Sequence, residues 1–174
     1  MSNRILSEGT QFEVKVDFEE SDNFPAGFLT EIWRLHAKGA EECIWHRDNG
    51  PAYSVMTPDT YETVEAKWLR YGQPYRIGGP AYMLLKDGIR TEVWSVGTGE
   101  HRENGPAITI RRESDGLCLE EYWCVHGNLH RYNGPAVVKR DAETGEVKTQ
   151  AWYHHGRRQP SPQTSQRTAT LSPD

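Results

Sequence analysis

The chain has 174 residues, with 20 Lys and Arg against 25 Asp and Glu and a net charge of −5. No apolar run approaches the roughly 18 residues of a membrane-spanning helix, and the charge balance excludes a strongly basic nucleic-acid binder. Three Cys without a Cys-x-x-Cys spacing exclude a disulfide framework and a zinc ribbon. The opening ten residues (MSNRILSEGT) hold no apolar secretion core, so a cytoplasmic location is expected. Leu, Ile, Val and Phe together number 31, thin for a packed domain, while six Trp and eight Tyr supply large rings that bury area.

Residues 1–29 read as an acidic strand or cap. Phe12, Val14, Val16 and Phe18 alternate with polar residues, the period of a half-buried strand. Asp17, Glu19, Glu20 and Asp22 crowd the same stretch, and residues 1–66 carry 13 acidic against 5 basic side chains, leaving the remainder of the chain close to neutral. A concentrated negative field draws in a basic protein surface, so these four acids are the candidate partner-binding residues. The competing reading makes Glu13, Asp17 and Glu19 the solvated side of an edge strand, where charge discourages aggregation.

Residues 30–156 contain a repeat. His46-Arg47-Asp48-Asn49-Gly50-Pro51-Ala52 recurs from Tyr75 to Ala81, from His101 to Ala107 and from His130 to Ala136, placing the Gly-Pro-Ala marks at 50–52, 79–81, 105–107 and 134–136. A Trp precedes each mark (Trp33, Trp68, Trp94, Trp123), and Trp152 opens a degenerate fifth copy. After each mark apolar residues alternate, as in Tyr53 and Val55, Tyr82 and Leu84, Ile108 and Ile110, which predicts a strand. A polar turn follows each time, clearest at Asp87-Gly88, and the chain returns through the Trp strand. Gly relieves the bend at each mark, Pro ends ladder pairing there, and the small Ala leaves room for a large neighbour. One hairpin cannot bury a face alone, so the expected fold is all-β, an elongated antiparallel array of stacked β-hairpins. Residues 157–174 lack aromatics and are rich in Pro, Ser, Thr and Gln, the composition of a disordered tail.

Arg47, Arg76, Arg102 and Arg131 are the candidate ligand-binding row, since guanidinium suits phosphate. The structural alternative pairs them with Glu31, Glu65, Glu92 and Glu121 and packs the His rings on Trp; an element present in every unit more often holds units together. His154 and His155 are adjacent, with no second ligand cluster near them in sequence, and no metal site is expected. Cys118 and Cys124 read as small apolar residues, and no catalytic motif is present, so neither an enzyme nor a cofactor is expected.

The Trp-x-x-x-Gly-x-x-His unit over residues 30–156 resembles the MORN repeat, and most closely its bacterial, phage and giant-virus variants, which include antitoxin-like proteins. It differs from the standard unit in carrying Arg after His and in its longer period. The resemblance implies strung β-hairpins, no catalytic residues and function by protein binding. Its most concrete form is a phage- or mobile-element-encoded inhibitor that covers a basic bacterial immune effector, nuclease or toxin, without direct nucleic-acid or membrane contact. A phosphate- or small-ligand module on the His-Arg rows and a structural scaffold are the alternatives.

Overall fold

A computed structural model describes residues 4–7, 10–21, 24–37, 42–97 and 99–162, with side chains over 13–18, 27–36, 42–97 and 99–162. All elements of this region are strands: β1 (Arg4–Ser7), β2 (Thr10–Ser21), β3 (Phe24–Ala37), β4 (Ile44–Trp45), β5 (Tyr53–Met56), β6 (Thr63–Lys67), β7 (Leu69–Arg70), β8 (Gln73–Pro74), β9 (Tyr82–Lys86), β10 (Ile89–Val93), β11 (Ile108–Arg112), β12 (Cys118–Tyr122), β13 (Cys124–Val125), β14 (Asn128–Leu129), β15 (Val137–Arg140), β16 (Val147–His154) and β17 (Arg157–Gln159). Among these residues no helix is long and apolar enough to cross a membrane.

Thirteen strands form one antiparallel sheet in the order β1-β2-β3-β5-β6-β9-β10-β11-β12-β15-β16-β17, with β4 beside β3; β7-β8 and β13-β14 are separate two-stranded ladders. Hairpins follow one another in chain order, which local turn chemistry alone can specify. At the β9–β10 turn Asp87 and Gly88 both have positive φ (52° and 71°), as a two-residue primed turn requires. The anticipated strands after each Gly-Pro-Ala are β5, β9, β11 and β15, and each pairs with the strand that follows it, which ends one residue before Trp68, Trp94 or Trp123 in the first three cases and contains Trp152 in the last.

The register lays out two cross-strand rows, one on each face. Ile32, Tyr53, Lys67, Tyr82, Val93, Ile108, Tyr122, Val137 and Ala151 lie opposite one another on one face. The neighbouring row on the other face runs Glu31, Ser54, Ala66, Met83, Glu92, Thr109, Glu121, Val138 and Gln150. Burial concentrates at the corners: the four Ala of the Gly-Pro-Ala marks are almost fully enclosed, together with Ala66 and Thr109. The core is therefore a line of small, closed corners together with the sheet face that carries Ser54, Ala66, Thr109 and Val138.

The N-terminal strand anticipated from Phe12 to Phe18 is the centre of β2, which pairs with β3 along most of its length. Val16 and Phe18 are exposed, with the Phe18 ring lying over Gly27, where a Cβ would have no room. The boundary read at residue 29 falls inside β3, so the acidic segment is continuous with the first repeat. Arg157–Gln159, read as the start of a tail, pair with Trp152–His154, and the paired region extends to Gln159. Residues 163–174 lie outside the described residues.

Candidate functional site

The four arginines of the repeat occupy one recurring local geometry. Each guanidinium carbon lies over a Trp ring: Arg47 over Trp33 at 4.1 Å, Arg76 over Trp68 at 3.8 Å, Arg102 over Trp94 at 3.9 Å and Arg131 over Trp123 at 3.7 Å. An attractive cation–π contact of this kind contributes about 0.5–2 kcal/mol, more as water is excluded. From the same position each Arg Nη1 donates to the carbonyl of the Pro four residues on, Pro51, Pro80, Pro106 or Pro135, at 3.2–3.4 Å. The glycine before that Pro lies under the guanidinium: a Cβ on Gly50, Gly79 or Gly105 would stand 2.6–2.9 Å from it. Trp N–H to Ala carbonyl bonds of 2.7–2.8 Å close each corner. Glycine, proline, alanine, arginine and tryptophan are thus parts of one clamp.

The anticipated Arg–Glu ladder holds at one position. Glu31 pairs with Arg47 at 3.0 Å. Glu121 pairs with Arg140 at 2.8 Å, Glu65 pairs with Lys67 at 2.9 Å, and Glu92 accepts from the Thr109 hydroxyl at 3.4 Å. Burial pushes the Arg76 guanidinium below its ordinary value, against the opposing pull of Glu92. Trp33 and Trp123 donate their indole N–H to Glu31 and Glu121, whereas the Trp94 Nε1 is buried and finds no acceptor among the described residues.

The His rings pack on turn residues. His46 stacks on Tyr71, His101 on His126 and His130 on His155, at centroid separations of 4.5, 4.5 and 4.2 Å. Each Nδ1 accepts the backbone N–H of the residue it stacks on, at 3.0, 3.4 and 3.0 Å. Tyr71, His126 and His155 sit at φ of 50°, 49° and 47°, each followed by a Gly at positive φ, so each forms a primed turn. These short second hairpins were not anticipated. Their signal is the Tyr-Gly or His-Gly dipeptide a few residues after Trp68, Trp123 and Trp152.

Folding also brings His130 against His154 and His155, with ring nitrogens within 4.8 Å of one another. Sequence spacing alone left that third histidine out. His130 Nδ1 accepts a backbone N–H, so the neutral ring carries its proton on Nε2. This hydrogen bond and a metal bond at Nε2 therefore exclude each other unless the ring becomes anionic. Burial first, then the neighbouring His155 and His154, hold the His130 pKa below its ordinary value. The unfolded chain thus binds the proton more readily, and this contribution to stability is complete above about pH 6.5 and lost as the pH falls below it. The melting temperature is expected to drop between pH 7.5 and pH 5, and His130→Asn should flatten part of that drop; an unchanged slope would refute this contribution of His130.

The remaining candidates are placed as follows. Asp17 pairs with Lys15 on β2. Glu19 and Glu20 lie in β2 with side chains outside the described set, and Asp22 lies outside the described residues altogether. Burial pushes the Cys124 thiol up to about 11 and raises the Cys118 thiol, which disfavours a nucleophilic thiolate at either. Between successive clamps lie open grooves: about 450 Å³ at Arg47, Trp68 and Arg76, about 560 Å³ at Arg76, Trp94 and Arg102, and about 460 Å³ at Arg102, Trp123 and Arg131. The residues between Arg and Gly form their rims. No protein-family model matches the chain, and neither a curated protein nor a solved structure does.

Proposed function

We propose that this chain is a non-enzymatic, MORN-like stack of hairpin repeats that works by binding another protein. The observation that carries the reading is the contrast between clamped and displayed residues. Each Arg is engaged by a Trp ring and a Pro carbonyl, which supports a structural role over a phosphate-binding row. The residue after each Arg differs from unit to unit (Asp48, Ile77, Glu103, Tyr132), and two of these are large apolar side chains held in water: Ile77 is 84% and Tyr132 76% exposed. Constant frames with variable rims are how repeat proteins build extended binding surfaces, and displayed aromatic anchors are typical of protein interfaces.

In the form the family resemblance favours, the protein is an inhibitor that covers a basic surface of a bacterial immune effector, nuclease or toxin in the cytoplasm. The acid-rich first 66 residues then steer the partner in, while the rims supply the contact. The test compares retention of a host protein by three immobilised chains. The double variant Ile77→Asp, Tyr132→Asp should lose the partner while the chain stays folded by circular dichroism. The reversal of Asp17, Glu19, Glu20 and Asp22 to Lys should slow association and flatten its salt dependence. A partner kept at full affinity by both variants would sink the reading.

A further inference from the structure

The last corner of the stack gathers three imidazoles. His130 is buried, His154 and His155 are exposed beside it, and one ligand nitrogen of each lies within 4.8 Å of the others. Two of these rings form the recurring turn contact. As His46 does with Tyr71 and His101 with His126, His130 stacks on His155 and accepts its backbone N–H. The third ring lies outside that contact. His154 precedes the turn residue, the place that Arg70 and Val125 take in earlier units. Its ring centroid nevertheless lies 4.8 Å from that of His130 and 4.5 Å from that of His155.

Imidazole nitrogens suit Zn²⁺, Ni²⁺ and Cu²⁺, whereas Mg²⁺ and Ca²⁺ favour oxygen. Around tetrahedral Zn²⁺, with Zn–N bonds of about 2.0–2.1 Å, ligand nitrogens stand about 3.3 Å apart. The widest separation at this corner must therefore close by about 1.5 Å, which two exposed side chains at a hairpin end can supply. His155 has to leave its stack on His130, since rings only 27° from parallel do not aim their lone pairs at one ion. Whichever nitrogen His130 uses, its hydrogen bond to the turn is given up. Ligation at Nδ1 takes the lone pair that accepts the His155 N–H, and ligation at Nε2 moves the ring proton onto Nδ1.

We propose that His130, His154 and His155 form a binding site for a divalent transition-metal ion of the Zn²⁺ class, and that the bound ion releases the His155 turn from His130. The ion enters from solvent on the side of His154 and His155 and keeps water in its remaining position. The other two turn contacts stay closed in its presence, because Arg70 and Val125 offer no third imidazole there. Tyr132 stands edge-on to His130 and close to His154, so the ion would sit beside one of the displayed rim residues. The site goes beyond the protein-binding reading and does not depend on it.

The probe is Zn²⁺ alone, titrated into the full chain without an affinity tag in a non-chelating buffer at pH 7.5. Calorimetry should show one ion per chain at micromolar affinity. In spectra of the isotope-labelled chain the His130 ring nitrogens should shift and the His155 amide should lose exchange protection, while the Tyr71 and His126 amides keep theirs. His154→Val gives the last unit the residue that Val125 supplies in the preceding one and leaves the turn contact in place. It should weaken binding about a hundredfold, as loss of one of three linked donors implies. His154→Gln is the second variant should the first fold poorly. Binding that is absent at millimolar Zn²⁺, or that both variants leave unchanged, overturns the site. One bound ion with the His155 amide still protected overturns its coupling to the turn.

Discussion

Replacing Trp123 with Ala is expected to destabilise the chain by about 3 kcal/mol, the low end for removing a large aromatic because this ring is only part-buried. The loss has three sources. Arg131 loses the ring it lies on at 3.7 Å, Glu121 loses the indole N–H, and a void opens at a corner whose Ala136 is wholly enclosed. Calorimetry should show a markedly lower melting temperature, with Arg131→Ala costing about 1 kcal/mol by itself. The double-mutant cycle between Trp123 and Arg131 separates the stack from the packing: a coupling near 1 kcal/mol is expected, and a coupling of zero would mean the guanidinium merely lies nearby. The same change at Trp152 should cost about 1 kcal/mol less, because no guanidinium among the described residues covers that ring.

Gly105→Ala is expected to cost about 2–4 kcal/mol, although it adds one methyl group, through backbone strain together with loss of a stacked arginine. Gly105 sits at φ +156°, which side-chain-bearing residues rarely adopt. Its new Cβ would also stand 2.9 Å from the Arg102 guanidinium carbon, so Arg102 must leave either Trp94 or the Pro106 carbonyl. Gly88→Ala is the comparison: its Cβ would meet nothing, so that variant should show the positive-φ penalty alone. Equal losses at the two positions, measured by chemical denaturation, would contradict the clamp.

The sheet register explains one of the ion pairs that so regular a repeat suggests but does not form, that of Glu65. Glu31, Glu92 and Glu121 lie in one cross-strand row. In the second unit that row is occupied by Ala66, and Glu65 lies one residue off register on the opposite face, where it meets Lys67. A single-residue offset moves a side chain through the sheet, so a carboxylate adjacent in sequence was unreachable in space. The Arg–Trp stack is insensitive to this offset because both partners sit at the corner.

Much of the architecture was legible from the chain alone, because its determinants are local. Period-two alternation after each Gly-Pro-Ala, a polar turn such as Asp87-Gly88 and a returning Trp strand are each encoded within a few residues. They specify hairpins in chain order without long-range information. Tertiary structure decided what those local signals leave open: which ring each Arg and His meets, that His130 joins His154 and His155, and that β17 extends the sheet against Trp152–His154. Each of these depends on where one corner lands against the next. A stack along an indole and a hydrogen bond to an Nδ1 are properties of two units together, and the sequence of either unit alone does not contain them.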